Sequence, residues 1–83
     1  MSLENFKIRK YHFGDILVIE MRDGEVFVGK YIQDNPDYKD TVNVLILYSN
    51  LKPDHLSYKS KGVGSIAYFH EDYVKTTIYN GKH

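Results

Sequence analysis

The dipeptide Asp23-Gly24 separates two apolar runs, Ile16 to Met21 and Val26 to Ile32, and no other stretch constrains the chain as tightly. Asp-Gly between apolar, β-branched segments is a strong hairpin signal, because tight hairpin turns demand positive φ and glycine adopts it without steric cost. A two-residue type I′ turn here sets Arg22 opposite Glu25, Met21 opposite Val26, Glu20 opposite Phe27 and Ile19 opposite Val28. Side chains alternate between the faces of a strand, so this register predicts a core face of Leu17, Ile19, Met21, Val26 and Val28, continued by Ile32. The other face carries an Arg22–Glu25 cross-strand ion pair beside Glu20, Phe27, Val18, Ile16 and Tyr31. Gly29 interrupts the second run, where glycine commonly marks a bulge or bend. A bent second strand is what a small closed barrel requires.

The rest of the chain reads as further strands and loops. Asp34 to Thr41 is rich in Asn, Pro and Asp and forms a loop that starts at Asn35-Pro36. Val42 to Tyr48 is almost continuously apolar, the pattern of a central strand buried on much of both faces. Ser49 to Gly64 is a long, mildly basic connection carrying Lys52, Lys59 and Lys61, with Leu51, Leu56, Tyr58 and Val63 available to pin it to the body. Ile66 to Phe69 and Val74 to Tyr79 are two short strands around His70-Glu71-Asp72-Tyr73, which suits a tight or 3₁₀ turn. In the last strand Val74, Thr76 and Ile78 alternate against Lys75, Thr77 and Tyr79. Met1 to Phe13 fits a strand or extended arm as well as a short helix capped by Ser2, and Lys7, Arg9, Lys10 and His12 make it the most basic segment.

Charge and composition exclude several function classes. Eleven basic residues balance eleven acidic ones, which argues against a protein that holds nucleic acid mainly through phosphates. There is no cysteine, so disulfides and thiolate metal centres are ruled out. The apolar runs are too short for a membrane helix, so a cytoplasmic location and no membrane partner are expected. His12, His55, His70 and His83 are scattered without metal-ligand spacing, and neither a metal nor another cofactor is expected. No serine sits in a nucleophile elbow, and Gly62-Val63-Gly64 is not followed by the Gly-Lys-Ser/Thr of a phosphate loop. The chain is therefore expected not to be an enzyme. At 83 residues it is one domain, spanning 1–83, able to bury about 60–65% of its unfolded surface.

The strand order resembles the SH3-like small barrel, and more narrowly the Sm and Hfq group. The matching residues are Ile19, Met21, Asp23, Gly24, Phe27, Gly29, Tyr31 and Asp34 and, past the loop, Asn43, Val44 and Leu45. Ala67-Tyr68-Phe69-His70 followed by Val74 to Ile78 is similar to the closing strands of Hfq. The loop between Asp34 and Asn43 is longer than in that group, and two further residues separate His70 from Val74. The resemblance implies a five-stranded antiparallel barrel, with a short N-terminal helix or arm, in which Asn43 and His70 approach RNA at the subunit junctions of a ring. The start Gly14-Asp15-Ile16 with Asp23-Gly24 and Gly29 is also similar to some small β-barrel immunity proteins of bacterial toxin systems.

Eight tyrosines are more than so small a core can enclose, and exposed aromatics favour interfaces. The expected function is thus a non-enzymatic binding module that works through protein contacts, either with further copies of itself as a homo-oligomer or with a partner protein; the alternative is an Sm-like RNA-binding ring. The binding residues expected on these grounds are Tyr31, Asn43, Tyr58, Tyr68, His70, Tyr73, Lys59 and Lys61.

Overall fold

A computed structural model describes residues 10–52, 54–56 and 58–80. The expectations for Met1 to Arg9 and for His83 lie outside the described residues. The described chain is mostly β: β1 (Ile16–Glu20), β2 (Val26–Asp34), β3 (Thr41–Ser49), α1 (Tyr58–Lys61), β4 (Ile66–His70), a 3₁₀ turn (Glu71–Tyr73) and β5 (Val74–Ile78). The five strands form one antiparallel sheet in the order β4-β3-β2-β1-β5.

A lone sheet buries a face only by curling over it. Leu17 and Ile19 of β1, Phe27 and Tyr31 of β2, Val42, Val44 and Ile46 of β3, and Ala67 and Phe69 of β4 join one buried cluster with Tyr11 and Leu51. The Phe27 and Phe69 rings meet at 5.0 Å although β3 separates their strands. Phe27 stands beside Ser49 and Phe69 beside Val42, near opposite ends of β3 and about 23 Å apart along a straight strand, so this contact requires the sheet to bend inward. Breaks in register supply the bending. Leu47 is skipped where Val28 and Gly29 pair with β3, Ile32 is skipped between Tyr31 and Gln33, and Lys75 is skipped where β5 pairs with β1. Gly29 lies at the first break: a Cβ there would come 2.9 Å from the Val44 side chain and 3.2 Å from the Leu45 carbonyl oxygen.

The hairpin tip corrects the two-residue turn. The loop is Arg22-Asp23-Gly24, closed by Gly24 N–H donating to the Met21 carbonyl at 3.1 Å and Met21 N–H to the Glu25 carbonyl at 2.8 Å. Positive φ falls on Gly24 alone (+90°), not on Asp23, so the turn is not type I′. One extra loop residue pairs Glu20 with Val26, Ile19 with Phe27 and Val18 with Val28. A one-residue slip exchanges the two faces of a strand. Phe27 and Tyr31 therefore enter the core with Leu17 and Ile19, while Val26, Val28 and Ile32 turn outward and stay half-buried. Arg22 and Glu25 are not cross-strand partners: the Arg22 guanidinium lies 6.0 Å from the Tyr73 ring centroid, and Glu25 lies 3.5 Å from His55 Nε2.

Asn50 secures this register from 24 residues away. Its Oδ1 accepts the Val26 N–H at 2.9 Å, its Nδ2 donates to the Gly24 carbonyl at 3.0 Å, and its own N–H donates to the Val26 carbonyl at 3.1 Å. Of the four residues expected to pin the long connection, Leu51 is buried and Tyr58 packs on the core, whereas Leu56 and Val63 are exposed. The segment also holds the one-turn helix α1, which the sequence reading did not anticipate. β3 buries one face only, with Val44 and Ile46 inside and Leu47 exposed, because among the described residues no second layer covers the outer side. In β5 the skipped Lys75 breaks the alternation, so Val74 and Thr77 oppose the inward Ile19 and Leu17 while Thr76 and Ile78 face out.

At the open end of the hairpin, Asp15 is fully buried. Its Oδ2 accepts the His12 N–H and its Oδ1 the Asn80 N–H, both at 2.9 Å. Its backbone carbonyl accepts the Tyr31 N–H at 2.8 Å. One carboxylate thus joins the loop ahead of β1 to the chain leaving β5.

Candidate functional site

The residues expected to bind fall into separate places. Tyr31 is only 2% exposed: its ring meets Tyr11 at 5.6 Å and its hydroxyl donates to Asp34 Oδ1 at 2.7 Å. It is a core residue with a satisfied hydroxyl, and the register slip at the hairpin tip put it there. Tyr58 packs on the core from α1, and the Lys61 ammonium sits 5.8 Å from the ring centroid of the inward Phe69. The Lys59 side chain lies outside the described residues.

Asn43, Tyr68 and His70 do come together on the outer face of β3 and β4. Asn43 pairs directly with Tyr68, and His70 stands two residues further along β4, opposite Thr41. Tyr68 and Lys61 thus approach β4 from opposite sides, since Phe69 points inward between the outward Tyr68 and His70. The β2–β3 loop folds back over this corner. Asn35 Oδ1 accepts the N–H groups of Asp37 and Tyr38 at 2.9 and 3.1 Å, and its Nδ2 donates to Asn43 Oδ1 at 2.9 Å. That turn stacks Tyr38 on Tyr68, with centroids 5.5 Å apart and planes at 24°. Tyr68 stays 57% exposed. His70 Nδ1 accepts the Asp72 N–H at 3.1 Å and caps the 3₁₀ turn, which leaves Nε2 to carry the proton of the neutral ring. The Asp72 carboxylate is 3.5 Å from the same nitrogen. That ion pair needs Nδ1 protonated, and the shorter capping bond is the better described contact.

His70 and Tyr73 also border an open depression of about 660 Å³ with Glu20, Met21, Arg22, Asp72 and Lys75. Charges of both signs surround it. Among the described residues no three His, Asp or Glu side chains converge on a point, and no helix is long and apolar enough to cross a membrane.

The largest feature missed by sequence reasoning is the outer face itself. One row of directly paired residues crosses all five strands: Ile66, Leu45, Lys30, Ile16 and Ile78. The next row runs Tyr48, Val28, Val18 and Thr76. Ile66, Tyr48 and Ile78, at the flanks, are each more than half exposed. Lys30 is the one charged side chain in these two rows, with its ammonium 4.9 Å from the centroid of the exposed Phe13 ring. The signal was present in β1, where Ile16-Leu17-Val18-Ile19 is apolar at both parities and so has an apolar residue for each face.

The chain matches no family model, no curated protein and no solved structure.

Proposed function

We propose that this protein is a non-enzymatic binding module that works through protein contacts, and that its partners are further copies of itself. The observation that carries this reading is the pair of largely apolar rows across the outer sheet face, more than half exposed at Ile66, Tyr48 and Ile78 and partly exposed at Leu45, Ile16, Val28 and Val18, since exposed apolar surface on a small domain marks an interaction site. Zero net charge favours contact between copies by removing their mutual repulsion. Sedimentation velocity across a range of concentrations tests the reading. Concentration-dependent assembly that persists at high salt supports it, and a monomer at every concentration overturns it.

The second reading is an Sm-like RNA-binding ring in the cytoplasm. The strand order, with a 3₁₀ turn between the two outermost strands, suits an SH3-like barrel of that kind. The exposed Tyr38–Tyr68 stack beside Asn43 and His70 provides an aromatic platform of the sort on which single-stranded bases pack. An RNA binder loses affinity steeply as salt rises. Absence of binding to RNA homopolymers at low salt removes this reading.

A further inference from the structure

The two central strands carry an arrangement of charges that matches itself. Val18 and Val28 stand directly opposite each other on the outer face. Two residues along β2 from Val28 lies Lys30, paired with Ile16; two residues along β1 from Val18 lies Glu20, paired with Val26. Because the strands are antiparallel, Lys30 and Glu20 sit at opposite corners of the patch, one cation and one anion diagonal about the valine pair. Neither forms an ion pair among the described residues. Among the described residues the Lys30 ammonium stands over the Phe13 ring, and Glu20 is exposed.

We infer that a second copy of this chain docks face to face on the outer side of β1 and β2 in an isologous dimer, with Lys30 of each copy against Glu20 of the other. A two-fold axis lying in the interface, and running across the diagonal between these two residues, exchanges their positions. The same operation brings Val18 near its counterpart and Val28 near its counterpart, so apolar surface meets apolar surface at the centre and the unpaired charges neutralise in two equivalent pairs. A two-fold interface must be self-complementary in this sense. The occupant is a second copy because the face holds the complement of its own unpaired cation. Charge pairs of this type fix register and orientation more than they add affinity. The inference rests on the self-association reading and specifies its surface.

The test is sedimentation equilibrium of the full chain as wild type, Lys30→Glu, Glu20→Lys, the double charge swap and Val28→Glu, with circular dichroism to confirm folding. The wild type is expected to be a dimer. Each single swap places like charges together and weakens the dimer about tenfold or more, and the double swap restores it. Should Val28→Glu fail to fold, the swaps at Lys30 and Glu20 decide alone. A wild-type dimer indifferent to all the substitutions, or one not restored by the double swap, overturns this interface and leaves self-association standing. A monomer at every concentration overturns both. A ring of five or more copies also overturns the isologous interface, because a ring closes through head-to-tail contacts.

Discussion

Asp15 and Tyr11 show how much of this fold turns on single side chains at the open end of the hairpin. The Asp15 carboxylate is fully buried and accepts two backbone N–H groups, one from nearby His12 and one from Asn80, 65 residues further along the chain. Asp15→Ala strands both donors and is expected to cost about 2–4 kcal/mol, read by urea denaturation, since hydrogen bonds to a charged group are the strong ones. Tyr11 is buried as well, and burial raises its phenol pKa above the ordinary 10.0, with Lys10 opposing and Glu71 adding to the rise. The unfolded chain then sheds this proton at lower pH than the folded one. Between the two pKa values the folded state holds more protons, so this contribution to stability falls as pH climbs above 10.0. Denaturation midpoints compared across that range should decline less steeply in Tyr11→Phe than in the wild type.

At the scale of the element, the hairpin tip is decided by one glycine conformation and one distant amide. Nothing lies within 4 Å of a Cβ built on Gly24, so Gly24→Ala tests the backbone alone; at φ +90° it is expected to cost about 1–2 kcal/mol. Gly29 has no unusual φ, yet a Cβ there strikes Val44 and the Leu45 carbonyl. Gly29→Ala should therefore cost about 1–3 kcal/mol for a different reason, overpacking. Asn50→Ala removes the clasp on Val26 and Gly24, with an expected loss of about 1 kcal/mol because those bonds are exposed to water.

For the whole molecule the decisive property is curvature. Phe27 and Phe69 touch only because β2, β3 and β4 bend together, and the three register breaks are where the sheet can bend. A double-mutant cycle on Phe27→Leu and Phe69→Leu is expected to give a coupling of about 0.5–1.5 kcal/mol, the range for paired aromatic rings. A coupling of zero would mean that the two strands do not share one interior. Curvature also separates the surfaces: the concave side is filled with side chains, and the exposed Ile66, Tyr48 and Ile78 lie on the convex side.

The letters alone specified which segments are strands, that β1 buries Leu17 and Ile19, that a fold-back occurs at Asp23-Gly24, that Gly29 breaks the pairing, and that a short turn, tight or 3₁₀, joins the last two strands. These are local matters, governed by alternation, turn chemistry and backbone freedom within a few residues. They did not specify the face of β2, because Asp-Gly suits both a two-residue and a three-residue loop and the choice between them moves every side chain by one place. Nor did they reveal that Asn50 would hold that loop, that Tyr31 would be enclosed, or that Lys30 and Glu20 would lie diagonally about Val18 and Val28. Such relations depend on which distant backbone groups are brought within hydrogen-bonding reach and on how a single sheet curls to cover its larger aromatic side chains, and only the assembled tertiary structure decides them.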